Sequence, residues 1–183
     1  MADISITATG KARAAASGQV SSEAASSAGE PYFDLIELLF FAYRDFVGDP
    51  DEVLAKLGFG RAHHRVLHFV NRNPGMKVAD LLDVLKITKQ SLGRVLKQLL
   101  DEGYIVQKTG NNDRRQRLLY ATPKGEALVG KLASLQTKRI NRALEETGPA
   151  NAETVRRFLR AMIDRDDPDK VLETIFRTAP TKE

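Results

Sequence analysis

Between residues 78 and 122 the spacing of apolar side chains changes period twice, from helical to extended and back to helical. Val78 to Leu85 is a short helical stretch with Leu81, Leu82 and Leu85 on its inner side. Asn73-Pro74-Gly75 is a strong loop signal that separates it from the segment upstream. Lys86-Ile87-Thr88 is the turn, with Ile87 expected to plug the angle between two helices. The second helix begins after Thr88, whose hydroxyl can cap it, and runs to about Glu102, where Gly103 stops it. Leu92, Val95, Leu96, Leu99 and Leu100 recur at three and four residues and make one buried stripe. Tyr104 to Lys108 then has β character, Gly110 to Asp113 supplies turn residues, and Arg117 to Thr122 reads as the returning strand. Thr122-Pro123 restarts a helix, with Thr as cap and Pro where a missing N–H costs nothing. The expected fold is therefore mainly α with a small β-wing: a winged helix-turn-helix.

The residues left outside the buried stripe are Lys89, Gln90, Ser91, Arg94, Lys97 and Gln98. Arg and Lys can donate to guanine O6 and N7, Gln can bracket adenine N6 and N7, and Ser or Thr can serve phosphates or bases. The bland reading of such a helix is an amphipathic segment with a solvated basic face; the hairpin that follows it favours the nucleic-acid reading. Gly93 costs roughly 1 kcal/mol against Ala inside a helix, which points either to close approach of another backbone or to packing. The hairpin carries Lys108, Arg114, Arg115 and Arg117 around one acid, Asp113. Asp113 is expected to accept a hydrogen bond from Arg115 or nearby backbone, holding the tip rigid so that an arginine can enter a minor groove. Taken alone, the tip also reads as a solvated charged turn.

These residues resemble the MarR-type transcriptional regulators. The resemblance is carried by Thr88-Lys89-Gln90-Ser91-Leu92-Gly93-Arg94-Val95-Leu96-Lys97-Gln98-Leu99, by Asp101-Glu102-Gly103-Tyr104-Ile105, and by Asp113-Arg114-Arg115 closing on Leu119 to Gly125. Asp113, Arg115, Thr122 and Gly125 occupy the places of the family's wing signature, while Ala121 stands where Leu is usual. The similarity covers about residues 32 to 165 in helix order, with its specific motifs between 88 and 125. Gly58 to Leu67 is also similar to a PetP-like branch of that family. The resemblance implies a cytoplasmic homodimer on pseudo-palindromic operators, often released by a small effector. DNA contacts would then come from Thr88, Lys89, Gln90, Ser91, Arg94, Lys97 and Gln98 on the helix, and from Asp113, Arg114, Arg115 and Arg117 at the wing.

Charge is distributed as that reading requires. Eight bases face three acids between Lys86 and Arg117, whereas residues 1 to 50 hold three bases against seven acids. Positive charge is thus concentrated where phosphates would be neutralised. With 42% apolar and 28% charged residues, the composition is that of a soluble globular chain. No run approaches the ~18 apolar residues needed to cross a bilayer, and residues 1 to 30 lack the continuous apolar core of a secretory signal; a cytoplasmic location is expected. Cysteine is absent, so disulfides, thiolate metal sites and thiol redox switching are excluded.

Residues 1 to 30, rich in Ala, Ser and Gly, read as a disordered tail ahead of a single domain over 31–183. Within it the winged lobe spans about 59–122, and dimerisation helices occupy about 31–58 and 123–183. Phe33 to about Val47 is apolar on most of its circumference, with Glu37 and Arg44 as exceptions. Such a helix must be covered on nearly all sides, which a second copy of the chain could do together with its C-terminal helices. Those helices are expected from Lys124 to about Glu146, from Asn151 to about Asp164 and from Pro168 to about Arg177. Paired copies would hold two reading heads about one DNA turn apart, ~34 Å.

His63, His64 and His68 fall in one helix from about Gly60 to Asn71. His64 and His68, four apart, share a face that could hold a metal or haem iron, but the helix offers no third ligand and Arg61 and Arg65 would repel a cation. Lining of an effector pocket and plain structural histidines are the other readings. No catalytic set, phosphate loop or metal motif is visible, so neither an enzyme nor a cofactor is expected. Beside a sequence-specific homodimeric regulator of double-stranded DNA stand two alternatives. One is a winged-helix protein–protein interaction module; the other is an architectural DNA-binding protein without effector control.

Overall fold

The computed structural model describes residues 31–110, 116–163, 169, 170 and 173. The N-terminal tail, the wing tip with Asp113, Arg114 and Arg115, and most of the helix expected from Pro168 lie outside the described residues. Helices α1 (Phe33–Ala55) and α2 (Arg61–Arg72) are followed by a two-residue strand β1 (Met76–Lys77). Next come α3 (Val78–Leu85), α4 (Lys89–Asp101), the strands β2 (Ile105–Thr109) and β3 (Arg117–Ala121), then α5 (Pro123–Thr147). A single 3-10 turn (Pro149–Asn151) leads into α6 (Ala152–Ala161). The sheet is antiparallel in the order β1-β3-β2, with Ile105 opposite Ala121 and Met76 opposite Leu119. The fold is a winged helix-turn-helix between longer helices.

The boundaries follow from local chemistry. Lys86 adopts a left-handed conformation (φ 50°) that ends α3 and turns the chain sharply into α4. Thr88 caps α4 by accepting from the Ser91 N–H at 3.1 Å, and Gly103 (φ 72°) releases the chain into β2. Thr122 caps α5 in the same way through the Gly125 N–H, with Pro123 in the first turn. Helix α1 runs on past Val47, where it was expected to end, to Ala55. Its Pro50 removes one N–H donor but is buried, as are Val47 and Leu54, so packing offsets the interruption. β1 was not expected at all.

One core ties the winged lobe together. Leu54, Val66, Leu67, Leu81, Leu92, Leu99, Ile105, Leu119 and Leu132 are essentially inaccessible, joining α1, α2, α3, α4, the sheet and α5 in one apolar cluster. Ile87 and Leu100 pack against it partly buried. The rest of the apolar content lies outside this core. On α1, Phe33, Leu38, Phe40 and Tyr43 are exposed, and so are Val155, Phe158 and Leu159 on α6 and Met162 just past its end. Soluble monomers rarely leave so much contiguous apolar surface open. Among the described residues, no helix is long and apolar enough to cross a membrane.

Candidate nucleic-acid interface

Helix α4 divides cleanly. Leu92, Val95, Leu96 and Leu99 are buried, which turns Lys89, Gln90, Ser91, Arg94 and Lys97 outward into solvent. The strands β2 and β3 follow α4 directly and close at Gly110, whose N–H donates to the Gln116 carbonyl. Lys97 pairs with Asp101 four residues on; both side chains are more than half exposed, so the pair contributes little and can exchange for a phosphate. The hydroxyl of Thr88 donates to Ser91 Oγ at 3.0 Å while accepting the Ser91 N–H. Thr88 therefore serves first as the cap that orients α4, and it fixes Ser91 at the first turn.

On the hairpin, Arg117 is exposed and donates to Thr109 Oγ1 across the ladder at 3.3 Å. Lys108 stands over the Tyr120 ring at 4.9 Å. The wing is braced from the far side by β1, and the Gly75 N–H donates to the Leu119 carbonyl at 2.8 Å.

Gln98 departs from the expected arrangement. Placed by sequence among the groove-facing residues, it is half-buried and turned toward α2, where its Oε1 lies 2.8 Å from His63 Nε2. The reason is its position on the edge of the buried stripe next to Leu99, beside the N-terminus of α2. His63 departs in the same way. It does not line a cleft with the other two histidines; it stacks on Phe59, with ring centroids 4.8 Å apart.

His64 and His68 do come together. They line an open cleft of about 400 Å³ bounded by Tyr43 and Phe46 of α1, Arg61 and Arg65 of α2, and Gln136 of α5. Burial lowers the His64 imidazole below its ordinary range, with the neighbouring His68 adding to this and Asp51 opposing it. Burial likewise lowers His68, helped by the charge of Arg72. Both rings are therefore held toward the neutral form beside permanently charged guanidiniums. Among the described residues, no three His, Cys, Asp or Glu side chains group as a metal site.

Two contacts that shape the reading head carry no local sequence signal. Arg65 reaches from α2 to donate to the Leu85 carbonyl at 3.2 Å, satisfying an end group of α3 just before the turn. Lys124 donates to the Glu102 carbonyl at 2.8 Å and sits 4.1 Å above the Tyr104 ring, pinning the end of α4 to the start of α5.

Comparison with known proteins agrees with this geometry. A family model described as MarR family matches residues 57–116. The chain is 46% identical over 129 residues to the HTH-type transcriptional regulator PetP of Rhodobacter capsulatus, an alignment covering 70% of this chain and 78% of that protein. Among solved structures, the transcriptional regulator SlyA superposes with a TM-score of 0.62 at 17% identity, covering 76% of this chain and 97% of SlyA. A MarR family regulator from Listeria monocytogenes complexed with 26mer DNA does so with a TM-score of 0.62 at 20% identity, covering 81% and 97%.

Proposed function

Because the chain belongs to the MarR family, we propose that it is a homodimeric transcriptional regulator that reads a pseudo-palindromic operator in double-stranded DNA. The observation that carries this is the outward row of Lys89, Gln90, Ser91, Arg94 and Lys97 on a helix whose opposite face is buried. Lys89, Gln90, Ser91 and Arg94 make the major-groove or adjacent phosphate contacts, and Lys97 serves phosphate. Asp113, Arg114, Arg115 and Arg117 supply the wing's contacts in this reading. Dimerisation uses the open apolar faces of α1 and α6. Its purpose is to hold two reading heads one turn of duplex apart, ~34 Å. The regulators in complex with DNA among the structural neighbours support this use of the fold.

The cleft beside His64 and His68 is the effector site in this reading. Its Arg61 and Arg65 guanidiniums and the rings of Tyr43 and Phe46 suit a small anionic aromatic compound. His63 is not part of it.

Selection of bound fragments from random or genomic DNA, followed by titration at fixed salt, tests the function. A specific site should bind about 10³-fold or more tightly than random duplex. Salt-sensitive binding without that ratio would mark an architectural protein, and absence of duplex binding a protein-interaction module. On the selected operator, Arg115→Ala should weaken binding by about 1–3 kcal/mol; unchanged affinity in the titration would reject the wing assignment.

Gly93 supplies a second check. It is exposed, and among the described residues a Cβ there would meet no side chain and no atom of another element within 4 Å, so packing against them does not account for it. Gly93→Ala should stabilise the fold by about 0.5–1 kcal/mol. It should at the same time weaken operator binding if the helix backbone approaches DNA closely. Thermal unfolding and operator titration on one sample separate the two effects; a gain in both would remove Gly93 from the interface.

A further inference from the structure

We propose that His63 and Gln98 form a latch that sets the seating of α4 against α2, making both positioning residues for the reading head. This rests on the DNA-binding reading above only for its functional consequence, not for its geometry. The Gly60 N–H donates to His63 Nδ1 at 3.1 Å. A ring that accepts at Nδ1 carries its proton on Nε2, and that nitrogen lies 2.8 Å from Gln98 Oε1. The amide is thereby oriented as well. Its Oε1 accepts from the histidine, while its Nε2 donates to Glu102 Oε1 at 3.1 Å and lies 3.5 Å from the Gly58 carbonyl. One tautomer and one amide orientation satisfy the whole set.

Packing holds the latch closed. The His63 ring stacks within 8° of parallel on buried Phe59, which meets the edge of Tyr104 at 5.1 Å. The α1–α2 turn and the last turn of α4 thus meet at one imidazole, with Tyr104 backing it through Phe59. α2 presents His64 and His68 to the cleft on another side of the same helix. A displacement of α2 by a cleft occupant would thus reach α4 through His63 and Gln98, 35 residues apart in the chain, as well as through the core the two helices share.

The role differs from base reading in what its loss does. A residue that reads a base changes sequence preference when removed, whereas a latch lowers affinity for every operator variant alike. The test uses the full chain and its selected operator. His63→Asn keeps a short acceptor for the Gly60 N–H but cannot reach Gln98, and Gln98→Leu removes the amide. Each variant should lose about three- to tenfold in operator affinity, the worth of one hydrogen bond. The double variant should lose no more than the worse single. Base preference should be unchanged, and each single variant should lower Tm by about 2–4 °C, with the double variant no lower than the worse single. Nitrogen-15 spectra of the imidazoles should show His63 as the Nε2–H tautomer, with its ring signals shifted by Gln98→Leu.

Multiplying losses in the double variant, an altered base preference in Gln98→Leu, or an Nδ1–H tautomer at His63 would each overturn the latch. If the unsubstituted protein binds no operator, the function reading fails. The tautomer, and the coupling of the two variants measured on unfolding, then still decide the latch by themselves.

Discussion

Replacing Phe33 and Phe40 together by glutamate is expected to leave a folded monomer and to lower operator affinity by about two orders of magnitude or more. The two rings are seven residues apart on one face of α1 and are 66% and 69% exposed in the single chain, with Ile36 between them at 42%. Neither contributes to the core, so the substitutions remove nothing that holds the winged lobe together. In a dimer each ring would be covered, and burial of a side chain this size is worth about 1.5–3 kcal/mol. Four carboxylates placed in that seam would have to be desolvated where apolar rings now offer contact. The effect on DNA follows from geometry. Two joined heads bind the second half-site as an intramolecular event, and separation of the heads forfeits that gain. Sedimentation velocity reports the mass and an operator titration reports the loss. A dimer that survives both charges would move the interface away from α1.

Gly125→Ala is expected to be the most destabilising single methyl in the reading head, costing about 2–4 kcal/mol and roughly 5–15 °C in Tm. A Cβ at this position would lie 2.2 Å from the Tyr104 carbonyl oxygen and 3.3 Å from Leu67 Cδ1. The carbonyl cannot move away cheaply, because it accepts the Thr122 N–H at 3.1 Å. The adjacent Gly103 carbonyl is held too, accepting from the Thr122 hydroxyl at 2.7 Å. The methyl would have to push the first turn of α5 off the start of β2, loosening the base of the wing. Gly130, in the same helix, is the natural comparison, since among the described residues a Cβ there would meet no side chain and no atom of another element within 4 Å. Gly130→Ala should stabilise by about 0.5–1 kcal/mol. Thermal unfolding of the two variants side by side measures the difference, and equal stabilities would show that the start of α5 is not seated as described.

Gly125 also illustrates what was legible from residue order. Its place early in a helix after Thr122-Pro123 was readable, because caps and an initial proline act within four residues. The same locality made α3, α4 and the two long strands readable to within a residue or two. β1 was hidden because a strand of two residues has no period, and its partner Leu119 lies 43 positions away. The passage of α1 through Gly48-Asp49-Pro50 was hidden because those residues normally punctuate, and only burial of Pro50 reveals why they do not.

The candidate site divides along the same line. The outward basic row on α4 could be read from the stripe on its other side, since one face of a helix defines the other. Gln98 could not, because it borders the stripe and its partner comes from α2. His63 had one usable signal: it stands three residues after Gly60, at the position where a side chain can accept the N–H preceding the helix. His64 and His68 were recognisable as a pair on one face, while the aromatic wall opposite them belongs to α1 and emerges only in the fold.

The central claim is that two copies of this chain bind one duplex with their α4 helices on successive turns. Native mass spectrometry of the protein with its selected duplex, joined to hydroxyl-radical footprinting of the same complex, tests this most directly. The account requires two chains per duplex and two protected tracts centred about one helical turn apart, ~34 Å. One chain per duplex, or a single continuous tract on a duplex carrying one half-site bound as tightly as two, would contradict it.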